Sequence, residues 1–241
     1  MHNLYNIRMK NIRLKIYDET LRDGEQQVGV FFQEETKRHL AHLINQTGVA
    51  QIAIMPGIHK TEERLVKTLV AEGLGSKVAA STMMDKEFID QSQACGVEQI
   101  ILFYAVSDRL LFLRDTEVSH NASFRGKTVD DDIPKAVIHK VRQNMIDKVL
   151  KNLRYAKEIG LKVCFAAEDA SRADFDFLVE CICTFRPYLK HFLLCDTVGV
   201  LSPEKTFVWI QELLLHTEYS PLVVHFHNDL GMALENTIQA V

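Results

Sequence analysis

The sequence predicts an α/β fold of the (β/α)₈ TIM-barrel type, because short apolar segments alternate with longer amphipathic segments along the whole chain. The short segments are rich in β-branched residues and almost continuously apolar, which is typical of parallel strands covered on both faces. Seven strands are predicted: Leu14–Tyr17, Ala50–Met55, Lys77–Ser81, Gln99–Tyr104, Leu161–Ala167, His191–Cys195 and Leu222–His227.

Segments with apolar residues at helical spacing separate these strands. They cover Glu34–Gln46, Glu62–Glu72, Lys86–Cys95, Ile133–Ile159, Phe175–Phe185 and Pro203–Leu215. The chain stops at Val241 inside a further helical segment, whereas a closed barrel needs eight units and about 250 residues. Either the chain is truncated or the barrel stays open between its first and seventh strands; the unpaired backbone of an open edge favours truncation. We therefore expect one catalytic barrel domain over residues 1–241, without the eighth β/α unit.

Composition excludes several classes of protein. Of the 241 residues, 47% are apolar and 25% are charged, and the net charge is only -4, so the basic surface of a nucleic-acid-binding protein is absent. No signal peptide or run of about 18 apolar residues is present, and we expect a cytoplasmic protein. The five cysteines do not have zinc-site spacing, which favours buried thiols.

One predicted connection is unusually long and charged. It runs from Ser107 to about Asp132 and contains Arg109, Arg114, His120, Arg125 and Lys127. Connections of this length in compact domains are either functional lids or disordered segments, and the sequence favours neither.

Polar residues gather where the predicted strands end. Such residues follow five strands: Arg22 and Asp23, Ser107 and Asp108, Glu168 and Asp169, Asp196 and Thr197, and the segment from His225 to Asp229. In a parallel barrel the carboxyl ends of the strands form one face, and that face carries the chemistry. The pattern predicts an active site there.

His225 and His227 indicate a metal site within this face. Residues i and i+2 of a strand point to the same side, so both imidazoles reach one point. Asp23 is a candidate third ligand, because only one strand separates the first and seventh strands of a closed barrel. Two histidines and a carboxylate suit a divalent cation. The alternative is a histidine pair that shares a carboxylate without a metal.

Long motifs then point to a family. The strings Asp18-Glu19-Thr20-Leu21-Arg22-Asp23-Gly24-Glu25-Gln26 and His225-Phe226-His227-Asn228-Asp229-Leu230-Gly231 resemble the metal-dependent TIM-barrel superfamily of Claisen-type enzymes. Glu168-Asp169-Ala170-Ser171-Arg172 and Asp196-Thr197-Val198-Gly199 support the resemblance, which covers essentially the whole chain. The superfamily contains the isopropylmalate, homocitrate and citramalate synthases and 3-hydroxy-3-methylglutaryl-CoA (HMG-CoA) lyase.

The resemblance implies an acyltransferase of amino-acid biosynthesis that condenses acetyl-CoA with an α-keto acid. Asp23, His225 and His227 would hold Mg²⁺, Mn²⁺ or Zn²⁺, with acetyl-CoA as co-substrate. A metal-bound keto acid has a polarised carbonyl. We also expect a homodimer.

The same resemblance implies roles for other residues of the face. Arg22 would stabilise the developing oxyanion, Glu168 would be an inner acidic residue, and Thr197 would hydrogen-bond the keto-acid carboxylate. Ser107 would bind substrate, since Ser107-Asp108 resembles the synthase pattern and not that of the lyase. The other three carboxylates of the first motif would fix its turn: Asp18, Glu19 and Glu25.

Two departures concern the substrate. Met55-Pro56-Gly57 follows the second strand where synthases of the group usually carry an acid and a glycine before the proline, and the third strand ends in Ser81-Thr82-Met83 where an arginine is often found. Ala166 lies two residues before Glu168 and points into the barrel, so we expect room for a bulky keto-acid substituent.

Two other functions compete with the synthase. A lyase or aldolase of the same fold would cleave a carbon–carbon bond. A truncated barrel without catalysis would retain metal or partner binding, because synthases of the family also use residues beyond the seventh strand.

Overall fold

The computed structural model describes residues 14–124, 126–131, 133–218 and 222–241. Arg125 and Asp132 of the predicted long connection lie outside the described residues. Seven parallel strands form one sheet whose order follows the chain. They are β1 (Tyr17–Asp18), β2 (Gln51–Ile54), β3 (Val78–Met83), β4 (Gln99–Ala105), β5 (Lys162–Glu168), β6 (His191–Asp196) and β7 (Leu222–Phe226).

The sheet curls into most of a barrel. Within the described residues, β1 pairs with β2 and β7 pairs with β6, and no ladder joins β1 to β7. The twist of successive strands still brings the Asp23 carboxylate to 3.8 Å from His225 on β7. The predicted fold class is confirmed: seven strand–helix units of a (β/α)-barrel are present.

Helices cover the outside of the sheet. They are α1 (Glu34–Gln46), α2 (Lys60–Leu69), α3 (Lys86–Ala94), α4 (Asp108–Arg114), α5 (Thr116–Ser119), α6 (Lys135–Glu158), α7 (Phe175–Phe185), α8 (Pro203–Thr217) and α9 (Ala233–Gln239). Several begin at a side-chain cap, in which a side-chain oxygen accepts a backbone N–H of the first turn. Asp85, Ser107, Asp174 and Ser202 cap α3, α4, α7 and α8 in this way.

The long connection after β4 is not irregular throughout. The sequence predicted one continuous loop from Ser107 to about Asp132, but the first half of it forms α4 and α5. The physical reason is local: Ser107 caps α4, and Leu111 and Phe112 bury one face of it. No described helix is long and apolar enough to cross a membrane.

Side chains alternate between two apolar layers. On β5, Phe165 packs outward against Phe185 and Phe192, with ring centroids 5.2 and 5.4 Å apart. Cys164 and Ala166 point inward to a second cluster of mostly small residues. Four cysteines are buried as expected, but Cys183 is exposed. The inner cluster forms the floor beneath the carboxyl ends of the strands.

Candidate metal and substrate site

A tight turn after β1 presents the first group of polar residues. The Glu19 carbonyl accepts hydrogen bonds from the Arg22 and Gly24 N–H groups, each 3.0 Å long. The Asp18 carboxylate accepts the Thr20 N–H at 3.0 Å. These bonds hold the turn so that Arg22 and Asp23 lie at the rim of the barrel.

Glu25 has a structural role beside this turn. Its carboxylate accepts the Phe32 N–H at 3.1 Å and forms an ion pair with the buried Lys37 ammonium. Lys37 also bonds Glu62 on α2 at 2.5 Å. The loop after the turn is therefore fixed to the helices outside the barrel.

Asp23, His225 and His227 converge at the rim. The two imidazole Nε2 atoms are 3.1 Å apart, and His225 Nε2 lies 3.8 Å from Asp23 Oδ2. One potential ligand atom from each residue lies within 4.8 Å of the other two. The sequence-based grouping of these three residues therefore corresponds to a compact donor set.

The electrostatics of this set fit a cation. Burial lowers the pKa of His225, and nearby His227 and Arg22 lower it further, whereas Asp23 opposes the shift. A neutral imidazole has a free nitrogen lone pair, which is the form that binds metals. The Nε2 atoms of His225 and His227, 3.1 Å apart, are close enough to share a proton or to bind one cation. The donor types and their convergence fit a divalent ion.

Arg22 borders the same set. Its Nη1 donates to Asp23 Oδ1 at 3.1 Å, and its guanidinium lies 5.8 Å from the centre of the Phe103 ring. The Arg22 Nε atom is buried and has no hydrogen-bond partner among the described residues. Glu19 Oε2 lies 4.0 Å from this atom. Arg22 thus keeps donor capacity on the cavity side.

Glu168 at the end of β5 is held by Arg114, for which the sequence predicted only a position in the long connection. Arg114 Nη1 and Nη2 donate to its two carboxylate oxygens at 2.6 and 2.8 Å. The hydrogen bond to Glu168 raises the pKa of Arg114. The Ser107 cap followed by the apolar Leu110–Phe112 run was the signal that α4 exists and carries Arg114.

Asp169 organises the neighbouring loops. Its backbone adopts φ +63°, and its N–H donates to Thr197 Oγ1 at 2.8 Å. Its carboxylate accepts Arg172 Nε at 2.7 Å and the Ser107 hydroxyl. Thr197 therefore has a fixed side chain whose own O–H remains free to donate, since no described acceptor takes it.

Asp196 fixes the loop after β6. Its carboxylate accepts the Ser171 hydroxyl at 2.6 Å and the backbone N–H groups of Val200 and Leu201, both at 3.1 Å. This loop is the one that carries Thr197.

A cavity of about 190 Å³ joins these groups. Predicted site residues Arg22, Asp23, Glu168, Thr197 and Ala166 border it together with His225 and His227. Its other walls are Glu19, Gln26, Ser81, Ile101, Phe103, Leu193 and Cys195.

Two predicted residues lie differently from the expectation. Ser107 does not border this cavity: its side chain is fully buried, caps α4 and binds Asp169. Glu19 fixes the turn only through its backbone, because its side chain faces the cavity. Burial raises the pKa of Glu19 to about 7, and Asp23 and Asp18 add to the increase against the opposing effect of Arg22.

The fold and the site together define a (β/α)-barrel with a candidate divalent-metal centre at the carboxyl ends of its strands. The family model described as HMGL-like matches residues 13–125 and 131–241. The chain belongs to the HMGL-like family, which lies within the metal-dependent Claisen-type TIM-barrel superfamily that the motifs resemble.

Individual relatives agree with this placement. Homocitrate synthase AksA of Methanothermobacter thermautotrophicus is 32% identical over 228 residues, which are 94% of this chain and 52% of that protein. Homocitrate synthase of Sulfolobus acidocaldarius is 32% identical over 237 residues, 95% of this chain and 46% of that protein. The chain thus spans about half the length of the curated relatives it matches.

A solved structure shares the fold. The HMG-CoA lyase of Brucella melitensis superimposes with a TM-score of 0.65 at 16% identity, over 95% of this chain and 77% of that one. At this identity the likeness concerns the fold alone.

Proposed function

We propose that this barrel is the catalytic part of an acyl-CoA-dependent synthase that condenses acetyl-CoA with an α-keto acid. The observation that carries the proposal is the convergence of Asp23, His225 and His227 beside Arg22 on one cavity. The sequence relatives at 32% identity are synthases, whereas the lyase shares only 16% identity. Synthase is therefore favoured over carbon–carbon bond cleavage.

Asp23, His225 and His227 would hold a divalent cation, which would act as a Lewis acid on the α-keto acid carbonyl. Arg22 lies beside this set and has a buried Nε without a described partner. A fixed cationic donor at this position would stabilise negative charge that develops on the keto oxygen.

Thr197 and Glu168 would position the keto acid. The Thr197 O–H can donate to the keto-acid carboxylate, while the Asp169 N–H keeps the Thr197 oxygen in place. The bidentate Arg114 pair holds the Glu168 carboxylate in a single orientation.

Ala166 would admit the substituent of the keto acid. It lies on the cavity wall between Phe103 and Leu193, and a small side chain there leaves apolar space. We expect bulky apolar α-keto acids to be turned over faster than pyruvate. Ala166→Phe should lower kcat/KM for the bulky acids at least tenfold and change that for pyruvate less, because Phe fills this space.

The test of the proposed function is CoA release from acetyl-CoA in the presence of a divalent cation and each of pyruvate, 2-oxoglutarate, 2-oxoisovalerate and 4-methyl-2-oxopentanoate. The panel should be run on the 241-residue chain and on any longer natural form. Keto-acid-dependent release supports the synthase. Metal binding without release from any acid would instead favour a barrel that has no synthase activity.

A further inference from the structure

The amino ends of the strands carry a second polar cluster, at the opposite end of the barrel from the candidate metal site. Side chains alternate along a strand, so Gln51 and His191 point into the barrel like the inner residues Ala53 and Leu193 two positions later. Gln51 is 3% exposed and His191 is 7% exposed. The Gln51 amide nitrogen and both ring nitrogens of His191 have no hydrogen-bond partner among the described residues. Because an unpaired buried polar group destabilises the folded state, this cluster favours a bound ligand.

Tyr17 lies between these two residues. It pairs with Gln51 in the ladder that joins β1 to β2, so the two side chains leave adjacent strands on the same face. Its ring centroid is 5.9 Å from that of His191. Its hydroxyl forms no described hydrogen bond. An amide N–H, an imidazole N–H and a phenol O–H therefore lie close together with donor capacity unused.

Positive charge surrounds the cluster. Burial lowers the pKa of Lys190, and the charges of Lys15 and Lys162 lower it further. Burial also lowers the pKa of His191, and Lys190 and Lys15 add to this shift. An anion placed among these groups would offset their mutual repulsion.

No described carboxylate acts on His191 to balance this charge. Glu98 acts on Lys190, but it forms an exposed ion pair with Lys162 at 2.8 Å. Residues 1–13 and 219–221, which lie outside the described ranges, contain no Asp or Glu. A balancing negative charge would therefore come from solution.

The remaining titratable groups at this end are protonated or already engaged. Burial raises the pKa of Tyr17 to about 12, and Cys164 adds to the increase. Burial also raises the pKa of the Cys164 thiol to about 12. Lys77 donates to the Val49 carbonyl oxygen at 2.8 Å. Tyr17 thus keeps its O–H as a donor at neutral pH.

We propose that one small monovalent anion, of the size of chloride, binds between Gln51, His191 and Tyr17. The amide N–H, an imidazole N–H and the phenol O–H would donate hydrogen bonds to it. The inward-facing Ala53 and Ala79 are small and leave space above this position. The 5.9 Å between the two rings favours a single ion over an organic ligand. Bound chloride would stabilise the imidazolium form of His191, so acid should destabilise the protein less in chloride than in gluconate.

Thermal unfolding of the full chain tests this site. The measurement is made at pH 7.5 and constant ionic strength, with potassium chloride replacing potassium gluconate, whose anion is too large to enter. The Tm of the wild type should rise saturably, by about 3–6 °C at a chloride concentration tenfold above the Kd. Gln51→Met keeps the length of the side chain but removes the amide donor, and it should lose most of this rise.

The matched control is Gln143→Met at an exposed position of α6, which should keep the chloride response of the wild type. An equal response in Gln51→Met and the wild type would overturn the proposal. So would a Tm that does not depend on chloride, or one that rises without saturation.

Bromide soaked into crystals of the wild type locates the ion directly and covers the case in which Gln51→Met does not fold. We expect one anomalous peak within about 3.5 Å of Gln51 Nε2 and of a His191 ring nitrogen. A water molecule at this position would reject the site. A bromide peak without any saturable chloride effect in solution would show an adventitious ion only, and that result also contradicts the proposal.

Discussion

Asp23, Glu19 and Glu168 face one cavity, but each carboxylate has different neighbours. Arg22 and two imidazoles adjoin Asp23, a bidentate arginine holds Glu168, and the half-buried Glu19 side chain has no described hydrogen bond. The neighbours of each carboxylate, and not the residue type, therefore distinguish the three positions.

A second observation at the residue scale concerns the stability of the protein in acid. It involves a buried histidine at the end of the barrel opposite the site. His191 begins β6, where it is 7% exposed and its ring lies 5.9 Å from that of Tyr17. Neither ring nitrogen has a hydrogen-bond partner among the described residues. Burial, followed by the charges of Lys190 and Lys15, lowers the pKa of His191 to about 4.

This pKa predicts a loss of stability in mild acid. The unfolded histidine has a pKa of about 6.5, so as the pH falls the unfolded chain binds a proton before the folded one does. Well above pH 6.5 the residue is neutral in both states and contributes no pH dependence. Between pH 7 and pH 5 it should lower the free energy of unfolding by about 2 kcal/mol. The free energy of unfolding should be measured by urea denaturation at pH 7 and at pH 5. Its decrease between the two pH values should be about 2 kcal/mol smaller in His191→Phe than in the wild type.

The control for that prediction is His139→Gln on the exposed face of α6. It should keep the pH dependence of the wild type. An undiminished loss of stability in His191→Phe would show that other groups dominate the acid transition.

At the scale of elements, the loop between β6 and α8 packs closely against the segment after β7 that carries His227. Gly199 in this loop has φ +59°, and an added Cβ would lie 3.0 Å from the His227 carbonyl oxygen and 2.9 Å from Asp229 Oδ2. The first of these is backbone and cannot rotate away. A side chain at this position would displace the segment that carries His227.

Gly199→Ala is therefore expected to have two effects. The left-handed backbone conformation should cost about 1–2 kcal/mol of stability for any residue with a Cβ. The contact with the His227 carbonyl should in addition weaken divalent-metal binding at least fivefold, measured by Co²⁺ titration.

Gly160→Ala separates the two effects. Gly160 has φ +85°, but nothing lies within 4 Å of its Cβ position. It should lose comparable stability and keep its metal affinity. Equal metal affinity in both variants would contradict the proposed coupling between the loop and His227.

The elements show what sequence can and cannot predict. The predicted limits of Glu34–Gln46 and Phe175–Phe185 agree with the structure, because their apolar periodicity and flanking residues are strong local signals. The segment after Ser107 was predicted as a loop, since its charges outweighed the apolar Leu111 and Phe112, which bury one face of α4. Which carboxylates face the cavity depends on side-chain direction at a turn. That direction arises from tertiary packing, so the sequence did not show that the Glu19 side chain borders the cavity.

For the whole molecule, the barrel's geometry explains why residues about 200 positions apart form one site. Seven twisted strands bring the turn after β1 beside β7, and Asp23 meets His225 although no ladder joins the two strands within the described residues. The parallel order was predictable from the alternation of strands and helices. The distances between ligand atoms were not, because they depend on the curvature of the entire sheet.

The central claim is that Asp23, His225 and His227 hold one divalent cation, and Co²⁺ titration followed by visible absorbance tests it most directly. We expect one Co²⁺ per chain, with a spectrum that reports nitrogen ligands. His225→Ala should weaken this binding at least tenfold, whereas His216→Ala, at an exposed position in the last turn of α8, should not change it. Wild-type affinity in His225→Ala, or no Co²⁺ binding by the wild type, would contradict the account.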